Sequence, residues 1–284
     1  MPAQFTRARE SRTLVLLAAA LALAPSMARA QRVLLQIRPH VGDTLHIRFE
    51  QETQLTRSKT SSGQPAPASM STTIRMLSRA IVESSTASET IVRTITDSVQ
   101  FSSSDASTRA LGEESGRMLE GHSTRLRISP DGTMALAGDA ESPREASQIV
   151  SAMPATLPSK AVEVGSTWTR EMPLPGAGGV SVSGPTNGWL RARFRLDSVS
   201  SDGSRAYVSM RGEMSSEPSR ADAVGPMLEK GSVTGSMLVD RKRGWLTESR
   251  FTVIAHSAVT PPGASAPMHF TTRITQKMET DEGR

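Results

Sequence analysis

The feature that most constrains this chain is a period-two alternation of apolar and polar residues that recurs from residue 44 almost to the C-terminus. Over 44–55, Leu45, Ile47 and Phe49 alternate with His46, Arg48 and Glu50. Over 73–83, Ile74, Met76, Ala80 and Val82 share a face, and over 89–101 Ile91, Ile95, Val99 and Phe101 do. Later, Leu190, Ala192, Phe194 and Leu196 oppose Arg191, Arg193 and Arg195. After an Asp202-Gly203 turn, Ala206, Val208 and Met210 return, and 245–255 and 268–278 continue the style. Successive side chains of a strand point to opposite faces, so each segment carries one apolar and one polar face. That pattern belongs to an antiparallel sheet covered on a single side, not to a parallel sheet buried twice.

A one-sided sheet needs a lid. The most complete helix signature lies at 143–153. Ser142 is a cap, Pro143 takes the first position, Glu145 completes a capping box, and Ala146, Ile149, Val150 and Met153 form the apolar stripe. Weaker helices are expected at 107–119, anchored by Leu111, Met118 and Leu119, and at 221–229. The expected class is α+β or mainly β: a curved antiparallel sheet, or two repeated half-sheets, covered by two or three helices. Stretches rich in Ser, Pro and Gly at 57–70, 173–188 and 260–267 read as loops.

Residues 1–30 read as a cleavable export signal. Arg7, Arg9 and Arg12 precede a short apolar run, Pro25 breaks it, and Ala28-Arg29-Ala30 supplies the small-x-small site. Cleavage after Ala30 leaves a periplasmic or secreted protein, with halves at 31–158 and 159–284. No later run is apolar enough for a transmembrane helix. The chain has no cysteine, hence no lipobox and no disulfide, and its core alone must hold it. The signal's four arginines and one glutamate account for +3 of the net charge of +5, which leaves +2 for the rest. Basic residues are scattered and unaccompanied by aromatic platforms, so nucleic acid is not an expected partner.

Two pairs of short matches suggest an internal duplication. Val41-Gly42-Asp43-Thr44-Leu45 matches Val164-Gly165-Ser166-Thr167-Trp168, and Gly116-Arg117-Met118-Leu119-Glu120 matches Gly225-Pro226-Met227-Leu228-Glu229. On this reading Gly42 and Gly165 sit in equivalent turns that open strands.

No catalytic constellation emerges. Cysteine chemistry is absent, there is no H-E-x-x-H helix and no G-x-S-x-G elbow, and Gly176-Ala177-Gly178-Gly179 lacks the strand, helix and lysine of a phosphate cradle. His40, His46, His122, His256 and His269 show no metal-ligand spacing. Glu50 and Glu52 share a strand face and read as solvating charges. No enzyme activity and no cofactor are expected.

Two features bear on binding. The chain has fourteen methionines against ten aromatics. Flexible, polarizable methionine suits a surface that re-packs around apolar ligands, or fills a core poor in aromatics. The candidate lining is Met76, Met118, Ile149, Met153, Phe194, Met210, Met237 and Phe270. The second feature is Arg191, Arg193 and Arg195 with Arg205 and Arg211. It reads as a site for phosphates or acidic head groups or, more simply, as edge-strand protection and solubility.

The opening Leu35-Gln36-Ile37-Arg38-Pro39, the Val41-Gly42-Asp43-Thr44 turn, Leu126-Arg127-Ile128-Ser129-Pro130-Asp131-Gly132, and Leu157-Pro158 with 162–168 resemble a family of exported bacterial proteins of unknown function. That family's layout is similar to the lipoprotein-carrier superfamily, in which a curved antiparallel sheet under helices holds acyl chains. The resemblance implies an apolar or lipid-like ligand and no enzyme. Many such proteins carry a lipobox, and this chain departs from them there. The alternative is a structural or protein-interaction module of the cell envelope that needs no pocket.

Overall fold

The computed structural model describes residues 32–57, 69–137, 156–173, 188–216, 227–260 and 267–282. Their elements are β1 (Thr44–Arg57), β2 (Ser69–Ser85), β3 (Thr90–Ser103), α1 (Ala106–Leu119), β4 (Ser123–Ile128), β5 (Met134–Leu136), β6 (Thr167–Pro173), β7 (Gly188–Val199), β8 (Arg205–Ser216), β9 (Met227–Asp240), β10 (Trp245–Val259) and β11 (Met268–Glu282). All eleven strands join one antiparallel sheet in the order β5-β4-β3-β2-β1-β11-β10-β9-β8-β7-β6. Strands β5 and β6 are its edges, and the sheet does not close on itself. The protein is therefore mainly β, and both expected halves contribute to the same sheet: β1–β5 form one wing, β6–β10 the other, with β11 between them.

The sheet curves. Val82, Val92 and Ile128 of the first wing share one buried cluster with Phe194, Leu196, Val208 and Val239 of the second. Strands so far apart in a flat sheet could not touch. Between them runs residues 33–38, a strap whose Val33, Leu35 and Ile37 are buried while Leu34 is exposed. Val33 and Val162 exchange backbone hydrogen bonds of 2.7 and 2.9 Å. Ile37 donates its N–H to the Pro130 carbonyl, and Arg38 donates to the Gly244 carbonyl. The strap thus ties the β4–β5 turn, the segment before β6 and the β9–β10 turn together, and closes one end of the curved sheet. Gly244 has φ +61°, and a Cβ there would collide with the Arg38 backbone, so the strap's approach requires a glycine.

The two wings open with the same turn. Gly42 (φ +91°) donates its N–H to Val82, Asp43 donates to His40, and Val82 donates back to Asp43. Gly165 (φ +88°) donates to Leu196, Ser166 to Glu163, and Leu196 to Ser166. Thr44 and Thr167 then begin β1 and β6, and Trp168 is half-buried where Leu45 stands in the first wing. The second sequence match has no structural counterpart, because Gly116–Leu119 closes a helix while Met227–Glu229 opens a strand.

Among the described residues there is one helix, not two or three. The helix expected at 143–153 lies outside the described residues, as do the loop positions 58–68, 174–187 and 261–266. The helix expected at 221–229 is corrected in its last three residues, which belong to β9. Helix α1 does form. Its cap, Asp105, accepts hydrogen bonds from the Thr108 N–H (2.7 Å) and the Ser107 hydroxyl (2.5 Å). Those bonds, the Ser107 hydroxyl's first, hold its carboxyl at about 2. Its docking differs from the expected apolar anchors: Leu111 and Met118 are 66 % and 61 % exposed. Glycines face the sheet instead. Gly116 is buried against Val99, and Gly112 lies on the Phe101 ring. The Glu120 carboxylate accepts the Val99 N–H at 2.9 Å, so α1 is fixed to β3 beyond the point where β4 ends.

One face assignment also changes. Val99 and Phe101 pair with Met76 and Ile74, but Ile95 pairs with Arg79 and stands on the other face, as Ile91 does. A bulge at Asp97 puts one extra residue into β3 and inverts the alternation there.

Candidate functional site

Cross-strand register lines up the inner-face residues in rows. At the closed end they are fully buried aliphatics: Leu45, Ala80, Val82 and Val92 in one wing, and Leu196, Ala206, Val208 and Val239 in the other. In the second wing this packing extends along the strands. Ala192 and Phe194 are fully buried, and Phe194 stacks on Trp168 with ring centroids 5.7 Å apart. Trp168 donates its indole N–H to the Thr156 carbonyl at 2.9 Å, which satisfies the polar end of the ring.

In the first wing and the central strands the inner face changes character. Phe49, Met76 and Met278 form one row, and Ile74, Gln51, Gln276 and Phe251 the next. All are half-buried. A polar seam runs through them. Gln276 Nε2 donates to Gln51 Oε1 at 2.7 Å. Ser78 and Thr280 flank Ile47 in the adjacent row. They are 3 % and 7 % exposed, yet neither hydroxyl has a hydrogen-bond partner among the described residues. A buried hydroxyl without a partner costs about 1–3 kcal/mol, so each such group calls for an explanation. Phe251 fits because Gly235 opposite it has no Cβ; one there would strike the ring.

The candidate lining residues separate accordingly. Met76 and Phe270 stand on the half-buried part of the inner face. Phe194, Met210 and Met237 belong to the packed cluster of the second wing. Met118 is exposed on α1, and Ile149 and Met153 lie outside the described residues. The sequence did not single out Ser78, Thr280, Gln51 or Gln276. Short polar residues at inward positions of an otherwise apolar alternation were the only available sign.

The outer face is mostly polar, with Leu77, Trp189 and Tyr207 exposed among its charges. The arginine ladder lies there on β7 and β8, which are paired on both sides, so it does not protect an edge. Two depressions open to solvent. One of about 410 Å³ lies beside the strap at Leu34, Gln36, Asp131 and Pro158. The other, of about 490 Å³, crosses β9, β10 and β11. Among the described residues no group of three or more His, Asp or Glu side chains could hold a metal, and no helix is long and apolar enough to cross a membrane. His269 pairs with Glu229 at 3.0 Å, and His256 shares a hydrogen bond with the Thr271 hydroxyl. His46 lies opposite Asp281 at the other end of the sheet.

No protein-family model matches this chain, and no curated protein matches it. Among solved structures it is similar to DynF from the dynemicin biosynthesis pathway of Micromonospora chersina, at 7 % identity and a TM-score of 0.25 over 89 % of this chain and 86 % of that one. It is also similar to an outer membrane channel from Pseudomonas putida F1, at 7 % identity and a TM-score of 0.24 over 85 % and 96 %. Likeness at that level carries no functional argument.

Proposed function

We propose that this is an exported, non-enzymatic protein that binds an apolar, lipid-like ligand along the inner face of β1, β2, β10 and β11. The observation that carries the reading is the pair of buried, unpartnered hydroxyls, Ser78 and Thr280, beside rows of half-buried Met, Phe and Ile. An amphiphile meets both: its polar head accepts or donates to the hydroxyls and the Gln51–Gln276 pair, and its chain lies on Phe49, Met76, Met278 and Phe251. Methionine side chains re-pack to follow a flexible chain. The export signal and the resemblance to carrier-like envelope proteins support the same reading.

The test is titration of delipidated protein with a fluorescent fatty acid and a lysophospholipid. Saturable binding at or below about micromolar Kd is expected, which corresponds to about 8 kcal/mol. The double variant Ser78→Ala/Thr280→Val should melt higher, because two orphaned hydroxyls are gone, yet bind more weakly. That opposition distinguishes a ligand site from a merely imperfect core. No saturable binding by the wild type refutes the reading and favours an envelope interaction module.

A further inference from the structure

The depression across β9, β10 and β11 lies on the outer face, opposite the proposed apolar site. Its lining comes as three residues from each strand: Thr234–Ser236, Arg250–Thr252 and Thr275–Lys277. The middle residues, Gly235, Phe251 and Gln276, face inward, so only their backbones can form its floor. The flanking residues form two walls. Register aligns Ser236, Arg250 and Lys277 in one row and Thr234, Thr252 and Thr275 in the other. The rows continue onto β8 as Ser209 and Arg211, and onto β7 as Arg195 and Arg193. The result is a trough that runs across the strands, with hydroxyl-bearing walls, arginines at its β7–β8 end, and Arg250 and Lys277 near the other end, where Glu50 and Glu52 of β1 follow.

Several cations elsewhere on the outer face are balanced. Arg75 pairs with Glu50, Arg79 with Asp97, Arg93 and Arg125 with Glu83, Arg127 with Glu89, and Arg191 with Glu171. Along the trough that pattern lapses. Arg193 stands directly opposite Arg211, and Arg250 opposite Lys277. Like charges directly opposite on neighbouring strands repel. Lys277 reaches Glu279, but Arg193, Arg211 and Arg250 make no ion pair among the described residues. Glu279 sits below the usual carboxylate range, chiefly through its hydrogen bond from Lys277 and then the charges of Lys277, Arg48 and Arg250.

We propose that this trough binds an acidic polysaccharide. Guanidinium groups give paired, charge-assisted hydrogen bonds to carboxylate, sulfate or phosphate oxygens. The arginines of β8 and β10 are two strands apart, about 10 Å, which suits oxyanions repeated along a chain rather than one isolated ion. The threonine and serine hydroxyls between them offer partners to sugar hydroxyls. No aromatic side chain stands on the walls to stack a nucleic-acid base.

The test titrates the protein at low salt with a sulfated polysaccharide, a polyuronate, neutral dextran, a single-stranded oligonucleotide, inorganic phosphate and anionic phospholipid vesicles. Both acidic polysaccharides should bind saturably and lose affinity as salt rises, and dextran should not bind. Arg211→Gln/Arg250→Gln should weaken binding about tenfold or more for each lost contact, with the melting temperature preserved. Arg93→Gln/Arg125→Gln removes as much charge from the other wing and should leave binding unchanged. Ser236→Trp keeps every charge but fills the trough, and should abolish binding. Equal affinity of Ser236→Trp and wild type, or equal losses in the two arginine pairs, overturns the site. Tighter binding of oligonucleotide, free phosphate or vesicles than of polysaccharide overturns the assignment of the ligand.

Discussion

The two wings of the sheet begin alike and are finished differently. Gly42 and Gly165 open β1 and β6 through the same hydrogen bonds, and the strands that follow pair in the same sense. On β7 and β8 of the second wing the inward residues Ala192, Phe194, Leu196, Val208 and Met210 are buried. In the first they include Thr53, Thr72, Ser78, Thr94 and Thr96, set among Met and Ile, and a helix with glycines on its contact face is laid against Val99 and Phe101 beside them. A shared turn therefore fixes how a wing starts, whereas the inward residues decide whether it becomes core or receptive surface.

The largest effect that would break this contrast is at Phe194. Phe194→Ala should cost about 3–5 kcal/mol, since it opens a cavity in a filled row, while Met76→Ala in the half-buried row should cost about 1 kcal/mol. Denaturant unfolding measures both, and equal losses would mean that the wings are packed alike. Gly244→Ala should cost about 2–3 kcal/mol, because the added Cβ meets the Arg38 backbone and φ is positive. A melting point unchanged from the wild type would show that the strap does not close that end. Gly42→Ala and Gly165→Ala should each cost about 1–2 kcal/mol, and the same in both wings, since neither Cβ meets a neighbour and only the positive φ is at issue. Clearly unequal costs would dissolve the equivalence of the turns.

The smallest effect is acid-dependent and belongs to the first wing alone. The folded carboxyl of Asp105 sits at about 2, below its ordinary value of about 3.9. Its contribution is therefore complete above the ordinary value and is lost as pH falls toward 2. Amides of the first turn of α1 should lose protection over that window. Asp105→Asn, which keeps a cap without a titrating group, should flatten the response.

Much of this was legible in residues. The alternation in 44–55 and 189–198 placed β1 and β7 and their inward faces, because burial on one side writes itself into a strand at period two. The turn glycines were legible because a positive φ leaves few alternatives. Ile91 and Ile95 misled because the bulge at Asp97 is a property of pairing with β2, not of local composition. The contact face of α1 was hidden because Gly112 and Gly116 pack by absence of side chain, while Leu111 and Met118 point to solvent. The trough was invisible for a different reason: its residues lie on strands distant in sequence, and only register brings Arg250 and Lys277 into one row and Arg211 into the row beside it. The unpartnered hydroxyls likewise needed a structure, since Ser78 and Thr280 meet only across β1.

The central claim is that the half-buried inner face of β1, β2, β10 and β11 receives a ligand while the inner face of β7 and β8 is a solid core. Amide hydrogen exchange with and without a saturating lysophospholipid tests it most directly. Protection should rise over 47–55, 72–78, 249–255 and 274–280, and stay unchanged over 192–196 and 206–210. Exchange unaltered everywhere, or altered chiefly in β7 and β8, would contradict it.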